Sequence, residues 1–430
     1  MDQSIEQVYA KFIKGHPICT DSRNITENSI FFALKGDTFD GNKFAEKALD
    51  NGAVLAIVDN AKFARNSKTI LVSNVLDFLQ ELARYHRNQL EIPFIGLTGS
   101  NGKTTTKELI NRVLSCKFKT FATKGNLNNH IGVPLSVLSV DNDIQIALIE
   151  MGANHIGEIA QLCSIAQPTH GLITNIGKAH LEGFGSFEGV KQAKSELYKF
   201  LSNQKGFLFI NSNNEILAHI ASQYKFAQQK SYGYDTYQVS NIVSSKTFLS
   251  FNLEIEKAKH KVNTQLVGQY NIENILAAIC IGQHFGIEPE QAIAAIENYT
   301  PDNSRSQIVK TGNNEVILDA YNANPTSMEQ AILNFKNLQT NSPKVAILGD
   351  MLELGEYAAT EHQHIAKLAL NSIKQVVFIG DNFKQFSNQG LWFANHLDFS
   401  TYLMDNPIQG KTILLKGSRG IKLDELIKQL

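Results

Sequence analysis

Short apolar runs separated by helical patterns recur along the whole chain. Residues 30–34 and 54–58 read as strands around a helical stretch at 42–50, and residues 76–90 form an amphipathic segment that ends before Pro93. Apolar runs at 94–98, 144–150, 171–174 and 206–210 then alternate with helical patterns, and a third series follows at 316–318, 345–348, 376–379 and 412–415. Strands alternating with helical segments predict an α/β protein built on parallel sheets. At 430 residues the chain exceeds one ordinary core. The pattern divides it into three expected domains, 1–87, 88–300 and 301–430.

Polar residues stand just past the carboxyl end of strand after strand: Thr98, Glu150, Thr174 and Asn175 in the middle segment, then Asp319, Asp350, Asp381 and Lys416 in the last. Ligands of open parallel sheets bind outside these ends, so two such rims facing each other predict an interdomain cleft. Asp381, followed by Asn382, is more simply a turn residue.

The densest chemistry is Gly99-Ser100-Asn101-Gly102-Lys103-Thr104-Thr105, between the run at 94–98 and a helix-forming segment. Glycines let backbone N–H groups close around phosphate oxygens, and a helix N-terminus favours an anion. Lys103 is placed for terminal phosphates and the Thr104 hydroxyl for Mg²⁺. The common loop has a glycine five residues before its Gly-Lys pair, where this chain has Leu97. The shorter G-x-x-G-K-T-T form argues against the motor and GTPase families.

Glu150 ends an apolar run, and a carboxylate buried there needs a partner or a metal ion. With Thr104 it fits the hard oxygen ligands that Mg²⁺ prefers. His180, on the same rim, is either a ligand or base or an ordinary core histidine. Lys194 taken alone reads as a solvated lysine on a helix at 190–200. Asp319 could accept from a ribose and Tyr321 could stack on a base. Asn322 and Asn324 fit a substrate contact and an Asx-turn equally well. His362 and His364 are two apart, face different ways on a helix, and read as surface residues.

Composition acts by exclusion. The 40 basic and 41 acidic side chains nearly cancel, so no nucleic-acid partner or anionic membrane surface is indicated. The four cysteines form no C-x-x-C pair and read as buried thiols in a reducing compartment. The first residues lack a signal-peptide pattern, and no apolar stretch approaches the roughly 18–20 residues that span a bilayer. A cytoplasmic protein without membrane insertion is the expectation.

Together these motifs resemble the Mur ligase family, the ATP-dependent amide-forming enzymes of bacterial peptidoglycan precursor synthesis. The resemblance covers essentially the whole chain. It is carried by T-D-S-R at 20–23, I-F-F-A-L-K-G-D-T-F-D-G-N-K-F at 30–44, T-G-S-N-G-K-T-T at 98–105, G-N-L-N-N-H-I-G-V-P-L at 125–135 and E-M-G-A-N at 150–154. It continues with T-N-I-G-K-A-H-L-E-G-F-G-S at 174–186, A-K-S-E at 193–196, Y-N-I-E-N at 270–274, D-A-Y-N-A-N-P-T-S-M at 319–328, G-D-M-L-E-L-G at 349–355 and L-K-G-S-R-G at 415–420. G-N-L-N-N, Y-N-A-N-P and G-D-M-L-E-L-G point within the family to the branch that adds D-alanyl-D-alanine.

The resemblance implies a small N-terminal domain for the UDP-sugar, a central P-loop-type ATPase domain, and a Rossmann-like C-terminal domain that binds the dipeptide and closes over ATP. It implies ATP and Mg²⁺, with two ions surrounded by Thr104, Glu150, His180 and a carbamylated Lys194, whose modification requires the neutral amine. Lys103 and Arg305 would hold the transferring phosphate, Asn271 and Asn274 would face the adenine, and Asp319 and Tyr321 would hold the nucleoside. Asp21, Ser22, Arg23 and the segment from Lys35 to Lys43 would hold the UDP end. Asn126, Asn128, Asn322 and Asn324 would line the substrate path, and Lys416, Ser418 and Arg419 would meet the incoming carboxylate.

The implied reaction activates the carboxylate of UDP-N-acetylmuramoyl-tripeptide as an acyl phosphate, which D-alanyl-D-alanine attacks, in a monomer that hinges near residues 299–303. A diaminopimelate- or lysine-adding relative remains open, as does a non-ligase P-loop NTPase.

Overall fold

The computed structural model describes residues 3–244, 248–301 and 305–430. It is an α/β protein, and the chain forms two compact units. The first comprises the chain to Gly96, Lys119–Gly152 and Glu158–His170; the second comprises Leu97–Phe118, Ala153–Gly157 and Gly171–Leu430. The expected hinge at 299–303 includes residues 302 and 303, which lie outside the described residues. Among the described residues no helix is long and apolar enough to cross a membrane.

In the first unit, strands Ile18–Cys19, Ile30–Phe32, Leu55–Val58 and Thr69–Leu71 lie side by side and all parallel. Ile30, Phe31, Phe32 and all of Leu55–Val58 are buried, as a sheet covered on both faces requires. The amphipathic segment is the helix Val75–Arg87. Asn74 Oδ1 accepts from the Leu76 and Asp77 N–H groups, while Arg84, His86 and Arg87 occupy its negative end. Strand Ile146–Glu150 pairs in parallel with Thr120–Ala122.

The second unit contains the helix Lys103–Leu114, which the buried helix Asn271–His284 packs along. Its last sheet runs in the order Gln307–Thr311, Asn314–Asp319, Thr412–Lys416, Lys344–Gly349, Gln375–Ile379 and Leu391–Phe393. All neighbours are parallel except the first pair, a hairpin turning at Gly312 (φ 54°). The parallel expectation missed this hairpin. It also missed the antiparallel meander Gln238–Val243, Ser250–Ile255 and Ala258–Asn263, whose middle strand alternates half-buried and buried residues. One-sided burial gives period two rather than a continuous apolar run.

His362 corrects the surface reading. It is fully buried, with the Met351 N–H donating to Nε2 (3.0 Å) and Nδ1 donating to the Ala358 carbonyl (2.7 Å). Its Nε2 also stands 3.5 Å from Asp350 Oδ1. Burial pushes the Asp350 carboxyl up and the His362 imidazole down, so both lean toward neutrality. Asp350 Oδ2 accepts from the Asn382 backbone and side chain, so the turn after Gln375–Ile379 is tied to the neighbouring strand end. His364 is exposed, as expected.

Phe378 is fully buried and stacks on Phe383 at 4.7 Å, with Phe386 at 6.2 Å. Phe378→Ala is expected to lower the unfolding free energy by about 3–5 kcal/mol; urea titration followed by circular dichroism measures the loss.

Candidate active site

The loop at 99–102 is shaped by contact with its neighbours. Gly99 has φ 147°, and a Cβ there would lie 1.9 Å from Thr174 Oγ1. Gly102 has φ 77°, and its Cβ would lie 2.9 Å from Asn274 Oδ1. Both positions therefore need glycine, one for close approach and one for a left-handed backbone that also opens the following helix. The residues just past the strand His170–Ile173 close the loop from one side. Thr174 Oγ1 donates to the Asn101 carbonyl (2.6 Å), Asn175 Oδ1 accepts the Asn101 N–H (3.0 Å), and the Ser100 hydroxyl exchanges hydrogen bonds with Gly177.

Helix Lys103–Leu114 begins at Gly102 with no side-chain cap, so its positive N-terminal end lies at the loop. Lys103 Nζ folds back onto the carbonyls of Gly99 (2.7 Å) and Ser100 (3.2 Å). Thr104 is buried and Thr105 half-buried. A glycine cradle, an uncapped helix start and a lysine beside it fit a nucleotide's phosphates.

Asn271 and Asn274, expected at the adenine, are buried and bonded to each other: Asn274 Nδ2 donates to Asn271 Oδ1 (2.9 Å). Asn274 Oδ1 accepts from Thr106 (3.0 Å), and Asn271 Nδ2 donates to the Val267 carbonyl (2.9 Å). They bind the helix Asn271–His284 to the loop's own helix. Thr106 escaped sequence reading because a threonine inside a helix carries no signal of its own.

The polar stretch after Asn314–Asp319 reaches the same loop. Asn324 does two jobs: Oδ1 caps the helix Pro325–Asn337, and Nδ2 donates to Asn101 Oδ1 (2.7 Å). The Lys178 N–H donates to Thr326 Oγ1 (3.1 Å). Asp319 and Lys416 are cross-strand neighbours and form an ion pair at 2.6 Å, with Lys416 1% exposed. The Lys416 ammonium is thus already matched inside the fold. Ser418 is buried and accepts from the Leu352 N–H. The exposed Arg419 lies 5.8 Å from the Tyr321 ring, and Arg305 stacks over that ring at 3.9 Å. Arg305 Nε is buried without a hydrogen-bond partner among the described residues, which suits an anion arriving there. Asn322 is exposed.

Lys194 departs from the solvated reading. It lies in the helix Phe187–Asn203 at 2% exposure, with Nζ 3.5 Å from the Ala153 carbonyl and 5.3 Å from the Phe184 ring. His180 has a left-handed backbone (φ 52°) and sets Nδ1 against Glu353 Oε2. Hydrogen bonding to His180 holds the Glu353 carboxyl below the usual range; burial opposes the shift and the imidazole's charge adds to it. Glu353, in G-D-M-L-E-L-G, was not picked out from the sequence; its φ of 62° is the signal, and only coordinates reveal it.

The first unit carries the remaining candidates. Glu150 is 1% exposed at its strand end and accepts from Asn128 Nδ2 (2.9 Å). Its N–H donates to Thr123 Oγ1 (3.0 Å), which fixes the carboxylate's stem. A buried carboxylate so held is a suitable oxygen donor for a hard cation. Asn126 is exposed. Arg23 donates from Nε and Nη2 to Asp21, both at 2.9 Å, and holds its carboxyl down at about 2. Ser22 sits half-buried between them in sequence. Lys35 Nζ is 2.7 Å from Asp59, which also accepts from Asn42 (2.8 Å). Burial alone would raise the Asp59 carboxyl, but the hydrogen bonds from Lys35, Asn42 and the Val75 N–H outweigh it and lower it.

Comparison with known proteins bears on all of this. Residues 14–87 match the Mur ligase family, catalytic domain; residues 97–282 match the Mur ligase middle domain; residues 304–419 match the Mur ligase, glutamate ligase domain. The chain is 36% identical to the UDP-N-acetylmuramoyl-tripeptide–D-alanyl-D-alanine ligase of Bacillus subtilis, over 96% of the chain and 93% of that protein. It is 32% identical to the Escherichia coli protein of the same name, over 96% and 93%. Crystal structures of MurF from Acinetobacter baumannii (TM-score 0.84, 30% identity, 96% and 92% covered) and of MurF ligase from Thermotoga maritima in complex with ADP (0.85, 26%, 96% and 96%) share the fold.

Gly99→Ala is expected to abolish ATP binding in isothermal titration while the far-UV spectrum stays unchanged, since the clash falls in the loop. Asp59 makes a pH-dependent contribution. Its folded pKa lies below the unfolded value of about 3.9, so the stabilisation is complete above that pH and disappears as pH falls through the folded value. Urea titrations of wild type and Asp59→Asn are expected to differ at neutral pH, with the difference shrinking as the pH is lowered below about 3.9.

Proposed function

The chain belongs to the Mur ligase family of ATP-dependent C–N-forming ligases, and from that premise we propose that it joins D-alanyl-D-alanine to UDP-N-acetylmuramoyl-tripeptide. The observation that carries the reading is Asn324 on Asn101 (2.7 Å), which brings the polar rim of the last sheet against the phosphate loop. A plain ATP hydrolase has no need for that second rim.

In this reading the three matched segments act as three domains, close to 1–87, 88–300 and 301–430. The loop 99–105, with the start of the helix Lys103–Leu114 and the Lys103 ammonium, holds the nucleotide's phosphates, and Lys103 leaves its carbonyl partners to do so. Arg305, held flat by Tyr321, would meet the γ-phosphoryl group, where charge spreads as it transfers. Asp319 and Tyr321 hold the nucleoside, with Asn271 and Asn274 stiffening the wall beside the adenine. In the first unit Glu150 would offer a carboxylate oxygen to a hard cation; in the second unit Thr104 would offer a hydroxyl oxygen to Mg²⁺, and His180 with a carbamate on Lys194 would hold a second ion. Support for the last is the burial of Lys194 at 2% exposure, because a lysine there needs a reason to be inside. When bound, Mg²⁺ offsets charge on the phosphate oxygens.

The tripeptide carboxylate is a poor electrophile, so it is phosphorylated first. The dipeptide amine then attacks the acyl carbon and phosphate leaves. Ser418 and Arg419 meet the dipeptide carboxylate, and Lys416 supports them from its pair with Asp319. In the first unit Asp21, Ser22, Arg23 and Lys35 hold the UDP end and Asn126 and Asn128 contact the substrate; in the second unit Asn322 does. Water would destroy the acyl phosphate, which gives closure of the rims a purpose.

Phosphate release from ATP with Mg²⁺ is expected to require both UDP-N-acetylmuramoyl-tripeptide and D-alanyl-D-alanine, with the pentapeptide product seen by mass spectrometry. Lys103→Ala and Arg305→Ala are each expected to lower kcat by about 10²–10³-fold. Release that ignores the dipeptide would assign another acceptor, and full-rate release from ATP alone would make the protein a hydrolase.

A further inference from the structure

His180 and Glu353 are both non-glycine residues with left-handed backbones, φ 52° and 62°, and their side chains meet. Such conformations carry a cost and persist where surrounding contacts demand them. The contacts here are numerous. Beside the ion pair, the Glu182 N–H donates to the Glu353 carbonyl (3.1 Å), and the Tyr357 hydroxyl donates to the Gly185 carbonyl (3.3 Å). Lys178 pairs at 2.6 Å with Glu361, whose side chain is 8% exposed. A Cβ on Gly355 would sit 3.3 Å from Glu182, so the strap runs close against the loop. Residues 353–361 thus grip residues 178–185 at four points.

The strap is itself anchored. Met351, two residues before Glu353, is buried and donates to His362, while the Leu352 N–H donates to Ser418 Oγ. The loop is anchored at its other end, where Thr174, Asn175 and Gly177 bond the phosphate loop. One chain of contacts therefore runs from the last sheet, through Glu353 and His180, to Asn101.

We propose that Glu353 is a positioning residue for the ligation step: it grips His180 from the last sheet and fixes the 178–185 loop in its working place. A carboxylate set against Nδ1 fixes the ring's orientation and so decides where Nε2 points. The carboxylate is half-exposed, and such pairs add little to stability. Its effect is on the placement of His180 and not on whether the protein folds. This inference rests on the ligase reading for its effect on rate, and on geometry alone for its effect on the loop.

The test is Glu353→Gly, which removes the carboxylate and suits a positive φ. Glu353→Asn, which also tolerates that backbone but is too short to reach His180, is measured alongside in case the glycine variant does not fold. Three quantities are read on the full chain: kcat for ligation, KM for ATP, and amide hydrogen exchange of residues 178–185. The expected result is a fall in kcat of about 10–100-fold, an unchanged KM for ATP, and faster exchange confined to 178–185. Wild-type kcat in the variant overturns the proposal, and so does a lowered kcat with wild-type exchange in the loop. If the wild-type protein makes no ligation product, the function proposed above fails; exchange in the variant still decides whether Glu353 holds the loop.

Discussion

The approach of the 99–102 backbone to Thr174 on one side and Asn274 on the other is the constraint on which the site depends. With no room for a Cβ at Gly99 or Gly102, the loop takes one shape, and Asn175 holds it there by accepting from the Ser100 and Asn101 N–H groups. The helix Lys103–Leu114 follows directly, so its macrodipole acts at the same loop. The hydrogen bonds from Thr174 and Asn175 act on loop backbone groups, which any sequence possesses, and so transmit position without depending on a particular loop side chain. The loop is preorganised, and binding a nucleotide costs less reorganisation as a result.

The last sheet depends on this loop in turn. Asn324 uses its oxygen to start a helix and its amide to touch Asn101, so one residue sets both the local fold and the docking. Behind it, the Asp319–Lys416 pair is nearly sealed from water. Removing either partner would strand the other's charge at a cost of about 3–5 kcal/mol, whereas the exposed Asp21–Arg23 pair is screened by water and adds little. Two ion pairs of similar length thus have different consequences: the first holds strand ends in register, and the second holds a surface loop's shape.

Burial also separates the histidines. His362 is a structural residue, bonded on both nitrogens to backbone groups and leaning neutral. His180 is partly open, strained in its backbone, and paired across from another segment. A histidine with both nitrogens committed to the fold has no proton to offer, while one held by a single carboxylate keeps a nitrogen for chemistry.

Much of this was legible along the chain. The glycine spacing with Lys103 and Thr104, the carboxylate of Glu150 after an apolar run, and the alternation of strands and helices follow from short-range chemistry: a turn needs φ > 0, a parallel strand needs burial on both faces. What the chain did not disclose depends on residues far apart in sequence. Lys194 looked solvated because its helix is amphipathic, yet it is buried beneath Phe184 and Ala153. His362 was read as a surface residue because it and His364 face different ways on a helix, yet Asp350 and Met351 reach it from a strand end. The link between Glu353 and His180 joins residues 173 positions apart, and backbone conformation at both ends marks it. The sequence by itself determined the phosphate loop and the class of fold, because both are written in local spacing. Only the tertiary structure decided which charges are paired and which nitrogens stay free, because pairing depends on what other segments bring within a few ångströms.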